Sequence, residues 1–412
     1  MQENPSDSRK RGRGRTVGRW LAALAVLLVM VLAAGWWITL PAPPDAFYTP
    51  PATRPAEPGA ILRSEPYDID IPAGAKAWRV LYTTRLEDGS PTVASALVVL
   101  PDRLVDTPRP VIAWAHGTTG AARGCAPSLS PAPFGGTPGM EDVVKHGWAM
   151  VATDYAGLGG PGHHGYLVGQ VAAYSVLDAV RAARQVADWQ LGSRVVVWGH
   201  SQGGHAALWT GMRAGTDAPE LEIAGVAAMA PVTEIAAMLG QGAGSGFGEI
   251  ISAYLYTSYR RLYPQIGDAY VSDFNEMIAT DIARRCLLDW RAAWSLALTR
   301  LLPKSGLFSQ PIGEGPFGER LAQNDPDGAI AAPLLLAQGL ADEVIDPALQ
   351  AGFVARRCAA GQAIDYRTFP GLTHVSLVGP GSDLTPQLLD WTKARFAGDP
   401  VEVATGDNCP AG

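Results

Sequence analysis

The sequence predicts an α/β fold, a mostly parallel central sheet with helices on both faces and an inserted helical cap. Two observations carry that prediction. Short apolar runs at 111–115, 149–153, 195–198, 223–230 and 333–337 alternate with longer segments of helical period, such as 169–190 and 202–214. Strands buried on both faces read as continuous apolar runs, and strands alternating with helices build βαβ units. The second observation is a break in that rhythm. About 100 residues separate the strand ending near 230 from the one starting at 333, far more than an ordinary connection. Helix-like pieces at 234–239, 249–262, 271–283 and 287–302 fill the gap and place a cap at about 231–325. A cap there covers the carboxyl ends of the strands, where open α/β sheets bind ligands.

Composition agrees. The chain has 412 residues, 47% hydrophobic and 17% charged, which is globular and too apolar for disorder. Its 47 glycines and 33 prolines imply many turns, and no G-x-y repeat supports a collagen-like helix. Four cysteines are too few for a small disulfide scaffold and lack the paired spacing of a zinc module. The net charge of −7 is unevenly spread, because residues 1–19 carry six basic side chains against Glu3 and Asp7. The tail is +4 and the remainder −11, and a body this acidic argues against nucleic acid as a partner.

The chain opens with that basic tail, 1–19, followed at 20–40 by WLAALAVLLVMVLAAGWWITL, which has no charged side chain. At about 1.5 Å per residue the run reaches roughly 31 Å, enough to cross a hydrocarbon core of about 30 Å. The positive-inside rule puts the tail in the cytoplasm and everything after Leu40 outside, with Trp36 and Trp37 at the far interface. Two readings compete. A transmembrane anchor is favoured, because a cleavable signal has a shorter apolar region of about 7–15 residues. The best small-residue cleavage candidate, Ala33 with Gly35, runs straight into the two tryptophans. Both readings export the body. No adjacent Arg-Arg pair supports a twin-arginine route.

Residues 41–58 hold seven prolines, a stiff extended stalk or a strap lying on the domain. The main domain spans 59–412. Its first clear elements, 78–84 and 93–100, alternate in polarity around Glu87-Asp88-Gly89 and read as a hairpin.

The apolar run 195–198 leads directly into Gly199-His200-Ser201-Gln202-Gly203-Gly204 and then into helical period. This is G-x-S-x-G between a strand and a helix, a setting that lifts a serine hydroxyl to the top of a sheet on a strained turn. A serine hydroxyl needs a general base. In this arrangement the order is serine, acid, histidine, so the base comes late in the chain. Of seven histidines only His374, after the strand-like 364–369, fits that order. The orienting acid belongs just past the strand 333–339, and Asp342 is the best choice there. Asp346 before Pro347 reads as a helix N-cap, and Glu343 is expected to point away. An oxyanion needs two backbone N–H donors. Gln202 supplies one, and the loop after 111–115, His116-Gly117-Thr118-Thr119, supplies the other, with Thr118 favoured over Thr119. His116 is expected to hold that loop. Residues 154–159 are expected to line the rim with Asp154 behind them. His163-His164 reads as a glycine-rich surface loop in preference to a metal site, and Tyr254, Tyr256, Tyr259 and Tyr263 read as cap packing.

Together these residues resemble the secretory lipase family, the fungal lipase-A type within the α/β-hydrolases. The resemblance rests on FYTPP at 47–51, GCAPS at 124–128, TDYAGLG at 153–159, GHSQGG at 199–204 and QGLADEVID at 338–346. It implies an α/β-hydrolase fold, a helical cap over an acyl tunnel, and hydrolysis of triacylglycerols or other carboxylic esters without a cofactor. Ser201, Asp342 and His374 fall where that family's triad belongs. The resemblance also implies that 47–51 packs on the domain, and that the disulfides are Cys125–Cys286 and Cys358–Cys409. The loop carrying Thr118 departs from relatives that have an acidic residue near this point. The expected function is serine-dependent hydrolysis of lipid esters outside the cytoplasmic membrane. Short-chain esterase, acyltransferase and peptidase chemistry are alternatives on the same triad, and a tethered, non-catalytic binding protein is the alternative from another class.

Overall fold

In the computed structural model, which describes residues 5–103, 106–266, 269–287 and 289–400, nine strands form one sheet. They are β1 (Ile61–Tyr67), β2 (Ala75–Arg85), β3 (Pro91–Pro101), β4 (Arg109–Ala115), β5 (Ala149–Thr153), β6 (Leu191–His200), β7 (Glu222–Met229), β8 (Leu334–Gly339) and β9 (Asp365–Phe369). Their order is β1-β2-β3-β5-β4-β6-β7-β8-β9. The first three strands form an antiparallel meander that meets β5 antiparallel, and from β5 to β9 every pairing is parallel.

The apolar runs become strands because both faces of the sheet are covered. On β4, Val111, Ala113 and Ala115 enter one core while Ile112 and Trp114 enter the other. On β6, Val195 and Val197 divide from Val196 and Trp198 in the same way. The expected hairpin is longer than its apolar stretch, pairing Ala75 with Pro101 through to Arg85 with Pro91. β1 escaped the sequence reading. It pairs only with β2, and an edge strand tolerates the Arg63, Glu65 and Pro66 that hide it.

The helices are α1 (Pro5–Ile38), α2 (Met140–His146), α3 (Gly169–Arg184), α4 (Gln202–Asp217), α5 (Ile235–Gly242), α6 (Gly246–Leu262), α7 (Asp273–Ile282), α8 (Ala292–Thr299), α9 (Gly315–Ala322), α10 (Pro347–Ala359) and α11 (Leu384–Ala397). Buried residues of α3 and α4 belong to one core, and those of α2 and α11 to the other. Five of these helices, α5 to α9, lie between β7 and β8. The piece expected at 287–302 is helical only over Ala292–Thr299, and α9 is an addition. Glycine at both Gly315 and Gly318 masks α9 in the sequence, although a proline in its first turn is preorganised for a helix start. Tyr254, Tyr256, Tyr259 and Tyr263 are buried, with Tyr259 and Tyr263 edge to face at 5.2 Å.

Cys125 and Cys286 are bonded, with their Cα atoms 5.3 Å apart, and join the loop after β4 to the turn between α7 and α8. The pairing Cys358–Cys409 falls on Cys409, outside the described residues.

The first part of the proline-rich segment is a strap, and the stalk reading is corrected there. Phe47 and Tyr48 are buried, the Arg79 guanidinium lies 4.3 Å from the Phe47 ring centre, and the Tyr48 hydroxyl is 2.8 Å from Ser128 Oγ. Pro41 and Ala42 press so closely on Gly124 that a Cβ there would stand 2.5 Å from the Ala42 carbonyl. By contrast α1 projects from the body. Its apolar stretch, Gly18–Ile38, is essentially unburied, and its last turn touches the domain.

Candidate active site

Parallel register brings the carboxyl ends of five strands to one edge. Ala115 of β4 pairs beside Gly199 of β6, His200 beside Met229 of β7, and Met229 beside Ala337 of β8. Gly339 of β8 pairs beside Phe369 of β9. The candidate residues all lie just past these ends.

Ser201 occupies the turn from β6 into α4 with φ 58° and ψ −120°. A non-glycine residue at positive φ outside the ordinary left-handed well stores about 1–3 kcal/mol of strain. The turn is tight enough to require its glycines. A Cβ on Gly199 would stand 1.9 Å from the Gly203 carbonyl oxygen, and one on Gly203 1.9 Å from the Ala115 carbonyl oxygen.

Past β8, the Asp342 carboxylate is buried and fully engaged. Oδ1 accepts from the backbone N–H groups of Val344 and Ile345, each at 2.8 Å. Oδ2 accepts from Gln338 Nε2 at 3.1 Å and from His374 Nδ1 at 2.8 Å. Burial by itself raises this carboxyl, but the His374 bond and charge and the two backbone N–H groups outweigh it, so Asp342 is held below its ordinary value. With Nδ1 committed to Asp342, Nε2 is the ring nitrogen left for Ser201.

Two neighbours hold the His374 loop. His200 Nε2 lies 3.0 Å from the His374 carbonyl oxygen, and the two rings are 4.6 Å apart. Burial pushes His200 down to about 3, so it is neutral and donates that bond. Glu343 was expected to point away, and it does not. The turn that wraps the N–H groups of residues 344 and 345 around Asp342 brings Glu343 Oε2 back to the His374 N–H at 3.4 Å. Asp346 accepts from the Ala348 N–H at the start of α10, as an N-cap does.

The loop after β4 passes against the elbow, since a Cβ on Gly117 would lie 3.7 Å from that of Ser201. His116 is buried and pushed down to about 4 by desolvation, with Nδ1 2.6 Å from the Gly117 carbonyl. Thr118 Oγ1 is 2.7 Å from the Tyr166 hydroxyl. The Thr119 carbonyl accepts from the Leu287 N–H at 2.8 Å, just past the disulfide.

Sequence reasoning missed His164. It is buried and not part of a surface loop, because α6 covers it: Ser258 Oγ on that helix donates to the His164 carbonyl at 2.8 Å and accepts the Tyr166 N–H at 3.0 Å. Burial pushes the ring down to about 3, so it is neutral and accepts at Nε2 from the Gln202 amide at 2.9 Å. Segment 164–166 thus holds the side chains of both Gln202 and Thr118. No local pattern in the sequence signals this, because the covering residue is more than ninety positions away. His163 stays exposed beside Arg261. Residues 154–159 stay outside the walls of the site's cavities, and Asp154 lies behind them as expected. It is wholly buried, accepts from the hydroxyls of Ser95 and Ser128 and the Ser128 N–H, and burial raises its carboxyl to about 6.

Ser201, His374, Thr118 and Thr119 share the wall of a cavity of about 380 Å³ whose remaining lining is mainly apolar, including Trp114, Ile250, Ile251, Leu287 and Leu296. A wider cleft of about 780 Å³ adjoins it across Met238, Phe247, Val344 and Val375. A hydroxyl, an imidazole oriented by a carboxylate, and an apolar chamber are the parts that acyl transfer from a hydrophobic ester requires.

The secretory lipase family model matches residues 140–403, a span that includes Ser201, Asp342 and His374. Lipase A of Arthroderma benhamiae is 25% identical over 395 residues, covering 88% of this chain and 81% of that protein. The secreted triacylglycerol lipase LIP3 of Malassezia globosa is 24% identical over 387 residues, covering 87% of this chain and 82% of that protein. Among solved structures, Candida antarctica lipase A in its closed state matches with a TM-score of 0.72 at 20% identity, covering 87% of each chain. The rice cell wall degrading esterase LipA of Xanthomonas oryzae matches at 0.65 and 20%, covering 82% of this chain and 98% of that one.

Proposed function

The chain belongs to the secretory lipase family, and from that premise we propose that Ser201, His374 and Asp342 hydrolyse lipid esters outside the cytoplasmic membrane through an acyl-enzyme. It is an α/β-hydrolase and an ester hydrolase; the residue roles and the lipid substrate are our reading. The observation that carries it is the 2.8 Å bond between His374 Nδ1 and a buried, ionised Asp342, at the same chamber as the strained Ser201.

In this mechanism His374 Nε2 takes the Ser201 proton as Oγ attacks the ester carbonyl. Asp342 keeps the imidazole in the tautomer that accepts at Nε2 and stabilises the imidazolium, without taking the proton itself. The oxyanion is bound by the Gln202 N–H and by an N–H of the 118–119 loop, Thr118 in preference to Thr119. The alcohol leaves with the proton from His374. A water, deprotonated by the same nitrogen, then releases the acid and restores Ser201.

The apolar chamber supports a lipid acyl group, because each buried CH₂ contributes about 0.8 kcal/mol, close to fourfold in affinity. Triacylglycerol is the specific ester we propose, as in the name of the Malassezia relative. The test is a series of p-nitrophenyl esters from two to about eight carbons, with Ser201→Ala as control. Rising kcat/KM with length supports the lipid reading, a flat or falling series leaves a short-chain esterase, and turnover by Ser201→Ala overturns the assigned nucleophile.

The N-terminal apolar helix serves export. We read it as a retained anchor, because Gly18–Ile38 is long enough to span and projects unburied from the domain, an arrangement that a bilayer satisfies and water does not.

A further inference from the structure

We propose that the α7–α8 side of the cap is a membrane-docking face, which seats the mouth of the active site on the same bilayer that α1 spans. The inference rests on the reading of α1 as a retained anchor and deepens it.

The last turn of α1 is fastened to the cap. Trp36 Nε1 donates to Asp281 Oδ1 at 2.7 Å. Arg285, fully buried, donates to Thr39 Oγ1 at 2.8 Å and to the Trp36 carbonyl at 3.3 Å while also holding Asp281 at 3.0 Å. The Trp294 ring packs on α1 itself, close enough that a Cβ on Gly35 would meet it at 2.9 Å. Because Pro41 and Ala42 then lie directly on Gly124, no slack tether intervenes between helix and domain. If α1 spans, Trp36 sits at the outer interface, and Asp281, Arg285 and Trp294 sit at its level.

The surface at that level is suited to lipid. Trp290 and Leu301, in the turns that flank α8, are 59% and 56% exposed. Beyond the Arg285–Asp281 and Arg291–Asp289 ion pairs, residues 281–304 carry the exposed Arg284, Arg300 and Lys304, a basic segment in an otherwise acidic body. Exposed aromatic and aliphatic side chains among cations match an anionic headgroup layer over acyl chains. The same helix reaches the chemistry, since Ala292 and Leu296 line the chamber that holds Ser201. The ester class this geometry selects is therefore one dissolved in the membrane beside the anchor.

The full-length chain is reconstituted in vesicles with and without an anionic lipid, and two activities are read on each sample: hydrolysis of a diacylglycerol dissolved in the vesicle, and of water-soluble p-nitrophenyl acetate. Trp290→Asp and Leu301→Asp are expected to lower the first at least about tenfold and to leave the second unchanged, with Trp290→Phe retaining both. The anionic vesicles should give the faster lipid turnover. Unchanged diacylglycerol hydrolysis in both aspartate variants overturns the docking face. So does an equal loss on both substrates, which would mark these side chains as cap packing. The underlying readings fail separately: wild-type chain that does not float with vesicles ends the anchor, and one inert to p-nitrophenyl acetate ends the esterase.

Discussion

Asp342→Asn isolates the step on which the proposed chemistry depends. The substitution keeps the shape of the side chain and removes its charge. Oδ1 faces two backbone N–H donors, from Val344 and Ile345, so the amide oxygen is expected to take that side. The amide NH₂ then faces His374 Nδ1, where the carboxylate oxygen stood 2.8 Å away. A donor there turns Nδ1 into an acceptor and places the ring proton on Nε2, the nitrogen that has to receive the Ser201 proton. The imidazolium of the transition state also loses a negative charge about 4 Å away, worth roughly 4 kcal/mol at an effective dielectric of 20, or about 10³-fold. The wrong tautomer adds to this, and the expected loss in kcat is about 10³–10⁴-fold. The assay is p-nitrophenyl butyrate turnover beside the rate of fluorophosphonate labelling of Ser201, on protein whose unfolding midpoint matches wild type. Activity within tenfold of wild type would refute the assigned role of the carboxylate.

Two further outcomes follow from the surroundings. His164→Ala removes the acceptor that holds the Gln202 amide, so kcat should fall about tenfold with KM little changed, and His164→Gln should restore part of the loss; a KM effect alone would make His164 a packing residue. Asp154 has its carboxyl raised by burial from 3.8 to about 6. A raised folded value favours the protonated state, so this contribution to stability is fully present below about pH 4 and is lost as pH rises through about 6, amounting to about 3 kcal/mol. Asp154→Asn should flatten the wild-type decline in that window when stability is followed by denaturant unfolding, and a parallel pH dependence in the variant would contradict it.

Much of this site is legible in the sequence because its key residues are tied to local patterns. The elbow glycines are forced by backbone approaches across one turn, and β4, β6 and β8 announce themselves by being buried on both faces. What stayed hidden depends on distant coverage. His164 lies in a glycine-rich stretch that reads as surface until Ser258 on α6 closes over it. Glu343 returns to the His374 loop only because the chain wraps the Asp342 carboxylate. β1 is hidden by the tolerance of an edge for charge and proline, and α9 by its glycines.

The bond between Cys125 and Cys286 has a consequence for how substrate enters. It closes a sequence separation of 161 residues, and it stands beside the Thr119 carbonyl that accepts the Leu287 N–H. The corner between α7 and α8 is thereby riveted to the rim of the chamber. Any gaping of the cap has to leave this corner in place, and reductant would free it without touching a reacting atom.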